Sequence, residues 1–130
     1  MTPPTERGGQ QVPGESRPDG QRPEVSMMHA IAARAWQSNL ARLAQLDDAL
    51  QRAAAGTLAL DGSAAAAQVA HQLVGSAGTF GYPRVSELGR RVELWFAAGA
   101  LDDPGAAESA ALDLATMRQD LVAGAADAGQ

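Results

Sequence analysis

Residues 69–82 have the sequence Val-Ala-His-Gln-Leu-Val-Gly-Ser-Ala-Gly-Thr-Phe-Gly-Tyr, and they lie in a segment from Gly62 to Pro83 without any acid or arginine. The whole chain contains no lysine, so His71 stands in a long uncharged stretch. With helical periodicity, the apolar residues in and just before this stretch share one face: Ala66, Val69, Ala70, Leu73, Ala77 and Phe80. His71 lies on the opposite face of the predicted helix.

The face around His71 consists of small or apolar residues, where a solvated helix normally has charged ones: Ala67, Val74, Gly75 and Gly78. A glycine inside a helix costs about 1 kcal/mol relative to alanine, so Gly75 needs a steric reason. Access to His71 would supply that reason. The pattern predicts a helix with one face towards the domain core and another that a second protein can approach closely.

Length and composition limit the class of protein. The chain of 130 residues has room for one domain, and its hydrophobic content of 45% with only 4% aromatic residues favours closely packed helices. A net charge of −5 argues against nucleic-acid binding, which needs a basic surface. The absence of cysteine, of a signal-peptide pattern and of a membrane-spanning apolar run predicts a cytoplasmic protein that binds no membrane.

Composition also divides the chain into three parts. Residues 1–24 are rich in Pro, Gly, Gln and Ser and predict a disordered tail or linker, whereas residues 25–123 are predicted to form the folded domain. Residues 124–130 are expected to be a flexible tail. Because Met27 and Met28 stand where apolar content begins, a later translation start stays open.

The periodicity of residues 25–123 is helical, and no stretch shows the alternation typical of a strand. We therefore expect an all-α protein, an antiparallel up-down four-helix bundle with a short extra N-terminal helix. Residues Met27 to Ala35 could form this separate helix or extend the next one, and we favour the separate helix. The helix after it should end at Gly56. Its apolar stripe is expected at Trp36, Leu40, Leu43, Leu46, Leu50 and Ala54.

The remaining helices follow from caps and apolar stripes. Asp61 or Ser63 should cap the histidine helix, which should run to about Gly78, and Pro83 suits the first turn of the next helix. Asp102, Asp103 and Pro104 then open the last helix. The expected buried positions of these last two helices are Val85, Leu88, Val92, Trp95 and Phe96, and then Ala107, Ala110, Leu114, Met117 and Leu121.

The order His-x-Leu-x-Gly-Ser-Ala-x-x-Phe-Gly, from His71 to Gly81, resembles the signature of histidine-containing phosphotransfer (HPt) domains. The run from Gly78 to Tyr82 is especially similar to the phosphotransfer domain of chemotaxis-type histidine kinases. The resemblance implies that His71 carries a phosphoryl group on Nε2 and exchanges it with aspartates of receiver domains. It also implies that Mg²⁺ is held by the receiver, and that this chain binds no cofactor or metal.

The chain departs from the family at Val74, where members usually have a lysine that can steady the phosphoryl charge. Antiparallel packing would place Arg90 level with His71, which makes Arg90 the first candidate for the missing cation, before Arg84 and Arg91. A solvated arginine face accounts for each of the three equally well. Without a substitute cation, the departure predicts slower transfer or a degenerate site.

Other residues around the motif also have expected roles. Glu93 matches in spacing the glutamate that, in chemotaxis-type domains, accepts a hydrogen bond from the second ring nitrogen; an ordinary solvated acid is the alternative. Gln72 could touch a partner or the phosphate, and Ser76 could cap its own helix backbone. His29 has no such neighbours and is interpreted as an incidental surface residue. Ala67, Val74 and Gly78 form the expected partner-docking face.

The resulting hypothesis is a phosphocarrier of a multistep phosphorelay, without a nucleotide-binding loop and therefore not a kinase. Its expected partners are the receiver domain of a response regulator and a hybrid histidine kinase, and we expect a monomer. A second hypothesis keeps the docking face but not phosphorylation, giving a pseudo-HPt module that sequesters a receiver. A third is a helical interaction module unrelated to phosphorelay.

Overall fold

The structure, a computed structural model, describes residues 23–99 and 103–128. These residues form four helices: α1 (Pro23–Ala54), α2 (Leu60–Thr79), α3 (Pro83–Ala98) and α4 (Pro104–Ala128). Within the two described ranges there is no strand. The all-α prediction is therefore confirmed.

The chain divides into two compact units, Met1–Arg34 and Ala35–Gln130. In the first unit the described residues are helical, and Met27, Met28 and Ile31 are exposed. Helix α1 is continuous from Pro23 to Ala54, so the predicted short N-terminal helix over Met27 to Ala35 is not a separate element. Nothing in that stretch breaks a helix, because it contains neither glycine nor proline. The predicted tail over residues 1–24 lies, up to residue 22, outside the described residues.

In the second unit the core is built mainly from leucine, valine and alanine. Leu43, Leu46, Leu73, Leu114 and Leu121 are almost completely inaccessible to solvent, together with the single buried aromatic residue of this described core, Phe96. The stripe predicted for α4 is confirmed at Ala110, Leu114, Met117 and Leu121, while Ala107 is half-buried. Among the core residues predicted between Ala66 and Phe96, four are only half-buried: Val69, Phe80, Leu88 and Trp95.

The apolar stripe of α1 is rotated slightly from the predicted one. Asn39 and Ala53 are buried, whereas Trp36 and Leu40 are half-buried and Ala54 is exposed. The side chain of Asn39 is part of the interior because its hydrogen bonds are made there, with Ser76 and Arg42. A polar residue at a core position gives no apolar signal, which explains the shifted prediction.

Hydrogen bonds between helices fix their relative directions. The Ser63 hydroxyl, near the start of α2, donates to the Phe96 carbonyl near the end of α3 at 2.6 Å. The Ser86 hydroxyl, near the start of α3, donates to the Val74 carbonyl in the second half of α2 at 3.0 Å. Helices α2 and α3 thus run in opposite directions. This pairing places residue 71 of α2 level with about residues 88 and 89 of α3, one turn of α3 before Glu93.

Two helix ends differ from the predictions, the start of α2 and the end of α4, whereas the end of α2 agrees with its predicted position near Gly78. The N-cap of α2 is Ala59, so neither Asp61 nor Ser63 caps that helix; Ser63 is buried against α3 instead. Helix α2 ends at Thr79, and the chain turns at Gly81, whose φ of 89° is left-handed and therefore suits glycine. Helix α4 continues to Ala128, past the expected boundary at residue 123.

Candidate functional site

His71 lies on the outer side of α2, where 65% of its side-chain surface is exposed. The neighbouring positions Ala70 and Leu73 point into the core and fix the rotation of the helix about its axis. Among the described residues, Nε2 of His71 has no hydrogen-bond partner. The ring therefore presents one free nitrogen to solvent.

Glu93 of α3 is the hydrogen-bond partner of the other ring nitrogen, Nδ1. Its Oε2 lies 3.0 Å from His71 Nδ1, and only 23% of the Glu93 side chain is exposed. An ionised carboxylate can only accept a hydrogen bond, so Nδ1 is the protonated nitrogen and donates to it. In neutral imidazole the lone pair is then on Nε2, the exposed atom. The arrangement can present a nucleophile of fixed tautomer and orientation.

Val74 lies on α2 one turn beyond His71 and is half-buried against α3. A Cβ built on the buried Gly89 would lie 3.0 Å from Val74 Cγ2, so the valine side chain covers that glycine. The backbone carbonyl of Val74 accepts the hydrogen bond from Ser86. The position that resembles the family's lysine site is thus filled by an apolar contact between α2 and α3.

The three candidate arginines of α3 have different surroundings. Arg91 pairs with Asp113 at 3.1 Å and Arg84 lies 3.7 Å from Asp120, so both reach towards α4. Arg90 is exposed, and in the described part of the chain it has neither a hydrogen bond nor an ion pair. It lies one turn before Glu93 on α3. Its guanidinium group is therefore unpaired within the described ranges.

The remaining predicted site residues lie around His71 on α2. Gln72 and Gly75 are exposed, and a Cβ built at Gly75 would meet no atom within 4 Å. Nothing within the described fold therefore requires glycine at that position. Of the expected docking face, Gly78 is exposed, while Ala67 and Val74 are half-buried and partly used for packing.

Ser76 does not cap its own helix, contrary to the prediction. Its Oγ accepts a hydrogen bond from Asn39 Nδ2 at 3.1 Å, while Arg42 donates to Asn39 Oδ1 at 2.8 Å. Ser76 thus joins α2 to α1 on the side away from His71. Sequence reasoning misses the role of Asn39, although its spacing with Leu43 and Leu46 places it on the apolar stripe.

Two further contacts of α4 are also missed by sequence reasoning. Tyr82, which follows the turn at Gly81, packs against the core, and a Cβ built at Gly124 would lie 2.5 Å from its ring. Asp113 is buried on α4 and accepts the hydrogen bond of Arg91. Both contacts bring together residues distant in sequence, so periodicity alone gives no signal for them.

The described residues hold no cluster of metal ligands. They contain no group of three or more His, Cys, Asp or Glu side chains that could bind a metal ion. None of the helices in the described part of the chain has the length and apolar character needed to cross a bilayer.

Comparison with protein families shows that the model described as Hpt domain matches residues 30–124. The match includes all of α2 and α3, and hence His71, Glu93, Val74 and Arg90. Comparisons with curated proteins and with solved structures found no match. The family match thus covers every residue of the site around His71.

Proposed function

Because this chain belongs to the Hpt domain family, whose members transfer phosphoryl groups through histidine in two-component phosphorelays, we propose that His71 is its phosphoacceptor. The donor is the aspartyl phosphate of a receiver domain or of a hybrid histidine kinase, and the acceptor is the aspartate of a response regulator. Hpt domains are phosphocarriers and not kinases.

The observation that carries the proposal is the different surroundings of the two ring nitrogens of His71. Nδ1 is held at 3.0 Å from Glu93 Oε2, whereas Nε2 faces solvent on a helix face with small neighbours. Phosphoryl transfer depends mainly on positioning and on charge stabilisation. An exposed, oriented imidazole can supply the positioning part on this chain.

In the proposed transfer step, the Nε2 lone pair of His71 attacks the phosphorus of the aspartyl phosphate. An N–P bond forms, and the P–O bond to the aspartate breaks with its electron pair. The leaving carboxylate stays on the receiver, and a Mg²⁺ held by that receiver would lower the repulsion between the anions. The Nδ1 proton remains on the ring, and the Glu93 carboxylate stabilises the resulting positive charge.

Arg90 is proposed to replace the lysine that the family usually has at the position of Val74. The support is that Arg84 and Arg91 pair with acids of α4, whereas Arg90 is unpaired among the described residues and shares the α3 stripe of Glu93. Its guanidinium can pair with phosphoryl oxygens with two hydrogen bonds. Gln72, exposed next to His71, is proposed as a further contact to partner or phosphate.

The proposed setting is a cytoplasmic monomer whose four helices form an antiparallel up-down bundle. Opposite directions of α2 and α3 support this arrangement, and the contacts of Trp36 with Leu121 and of Asp47 with Arg118 support a similar pairing of α1 with α4. The partner-docking face proposed on α2 consists of Ala67, Val74 and Gly78. Glycine and alanine at such positions allow a partner backbone to come close.

The decisive test is labelling of the purified protein by a phosphorylated receiver domain or hybrid kinase from the same cell. We expect a label that is labile in acid and stable in alkali, absent from a His71→Gln variant whose helical circular dichroism is unchanged. The His29→Gln variant is the matched control, because His29 is exposed and far along the sequence from the motif, and it should label normally. A label that persists in His71→Gln would refute the assignment.

A second candidate function is favoured by Val74, which lacks the charge of the usual lysine. In this alternative the chain is a pseudo-HPt module that docks or sequesters a receiver without being phosphorylated. The same experiment separates the two candidates. Tight receiver binding without label, unaffected by His71→Gln, would support the binding module and exclude the phosphocarrier.

A further inference from the structure

An exposed apolar patch lies on the first part of α1, in the unit that ends at Arg34. Met27 and Met28 expose 63% and 69% of their surfaces, and Ile31 exposes 46%. Within residues 23–34 every residue except Val25 is exposed, so the described fold covers no face of this helix segment. Helix surfaces in water normally consist of polar and charged residues, and three large apolar side chains within little more than one turn indicate a surface that binds a protein.

Two opposite charges flank the apolar residues on one stripe of this helix. The stripe consists of Glu24, Met27, Ile31 and Arg34, at spacings of three, four and three residues. Both charged side chains are exposed, and among the described residues neither has a hydrogen bond or an ion pair. Glu24 and Arg34 lie roughly 15 Å apart along the helix axis, so they cannot pair with each other within one chain.

The stripe is complementary to itself when two copies of the helix run in opposite directions. A two-fold axis beside position 29 brings Glu24 of one copy against Arg34 of the other, and it does so twice. The same axis brings Met27 of each copy against Ile31 of the other. Parallel pairing would instead place like charges opposite each other, which is unfavourable. The order of charged and apolar residues therefore identifies a second copy of this chain as the occupant.

We propose that residues 23–34 of α1 form an antiparallel homodimer interface with the same residues of a second copy. The segment is about 18 Å long, whereas an interface of standard size, about 800 Å² on each partner, is roughly 28 Å across. The dimer is therefore weak and dissociates on dilution, which leaves the proposed monomer at low concentration. The interface includes no residue of the His71 site, so the proposal does not depend on phosphoryl transfer.

Analytical ultracentrifugation of the full chain, at concentrations from micromolar to millimolar, tests the proposal. We expect an equilibrium between monomer and dimer. Ile31→Gln should raise the dissociation constant by about tenfold or more, because each dimer loses two aliphatic side chains from its interface. Leu112→Gln is the matched control, since Leu112 is an aliphatic residue of α4 that is 66% exposed, and it should leave the dissociation constant unchanged.

Exchange of the two charges tests the orientation of the helices. Glu24→Arg and Arg34→Glu should each weaken the dimer by about fivefold, because each creates two pairs of like charges across the axis. The double variant should recover the affinity, since it exchanges the partners and keeps the pairing. Glu108→Arg, at an exposed acid of α4, is the control and should have no effect. Circular dichroism verifies that each variant remains helical.

A monomer at every concentration would overturn the proposal. A dimer that Ile31→Gln leaves as strong as Leu112→Gln does would overturn it as well, because the two copies would then meet through another surface. If both single charge variants weakened the dimer and the double variant did not recover it, the antiparallel pairing would be refuted. None of these measurements involves phosphate, so their outcome is independent of the function proposed for His71.

Discussion

The two ring nitrogens of His71, Nδ1 and Nε2, have different surroundings. Glu93 is mostly shielded from solvent and lies 3.0 Å from Nδ1, while Nε2 is open. The carboxylate comes from the neighbouring helix, so the packing of α2 on α3 sets the orientation of the imidazole. The residue that differs from the usual pattern, Val74, strengthens this packing by covering Gly89.

Arg90 and Val74 give a prediction at the residue scale. Arg90→Gln should slow receiver-dependent phosphorylation by about tenfold or more, because a charge-assisted hydrogen bond to phosphate is lost. Introducing a cation by Val74→Lys in the Arg90→Gln variant should recover much of that loss. The measurement is the rate of label transfer from a phosphorylated receiver.

Arg84→Gln is the control for that comparison, because Arg84 lies towards Asp120 of α4 and should leave transfer unchanged. Equal rates for Arg90→Gln and Arg84→Gln would remove Arg90 from the proposed site. Failure of Val74→Lys to help would indicate that Arg90 acts in partner docking instead of on the phosphate.

At the scale of the element, two glycines of the α2–α3 pair have different surroundings. Gly75 of α2 faces open space, whereas Gly89 of α3 faces α2 so closely that an added Cβ would lie 3.0 Å from Val74 Cγ2. Glycine at position 75 serves no intramolecular contact in the described fold. Glycine at position 89 lets the two helices approach closely around the level of His71.

Alanine substitutions of the two glycines should therefore differ. Gly75→Ala should raise the free energy of unfolding by about 1 kcal/mol, the difference in helix propensity. Gly89→Ala should raise the free energy of unfolding by clearly less, because the added methyl group forces the Val74 side chain to move. Urea denaturation followed by circular dichroism measures both changes.

The Val74→Ala background supplies the control, since there the Gly89→Ala change should recover its helix-propensity gain. If Gly89→Ala stabilised the protein as much as Gly75→Ala in the unmodified background, the close contact of the helices would be refuted.

Gly75→Ala should also slow phosphoryl transfer from a receiver. It should not slow labelling by the small phosphoryl donor phosphoramidate, because the added methyl group obstructs only a large partner.

At the scale of the whole molecule, polar side chains connect helices across a thin core. The Trp36 indole donates to the Leu121 carbonyl at 2.8 Å, joining α1 to α4, and Asn39 donates to Ser76, joining α1 to α2. Such bonds join specific atoms with a preferred geometry, and satisfied buried polar groups favour a unique arrangement of the core. We infer that these bonds define the register of the helices around the site.

Asn39, of which only 1% is exposed, tests this inference. Asn39→Ala should lower the free energy of unfolding by about 1–3 kcal/mol, because it leaves a cavity and removes the partner of Ser76. Gln37, an exposed amide two positions earlier on α1, supplies the control, as Gln37→Ala should change stability by less than about 0.5 kcal/mol. Chemical denaturation gives both values, and equal effects would show that the buried amide is unimportant.

The sequence alone determined the helical class, the apolar stripe of α4, most of the buried positions of α2, and the motif around His71. These features depend on local periodicity and on spacing within one helix, which the order of residues contains directly. The sequence did not reveal that α1 is continuous. A run of helix-forming residues without glycine or proline contains no feature that shows whether it forms one helix or two. Nor did the sequence show that α4 continues to Ala128.

Only the tertiary structure decided the surroundings of each polar side chain. Local rules assign Ser63 and Ser76 to helix caps, but they bond to α3 and α1, because burial on a helix face brings distant partners within reach. Tertiary packing also decided the partners of the three arginines of α3. The sequence alone could not show which of them is left unpaired. Acids on α4 pair with two of them and leave Arg90 free among the described residues, a result of how α3 and α4 pack.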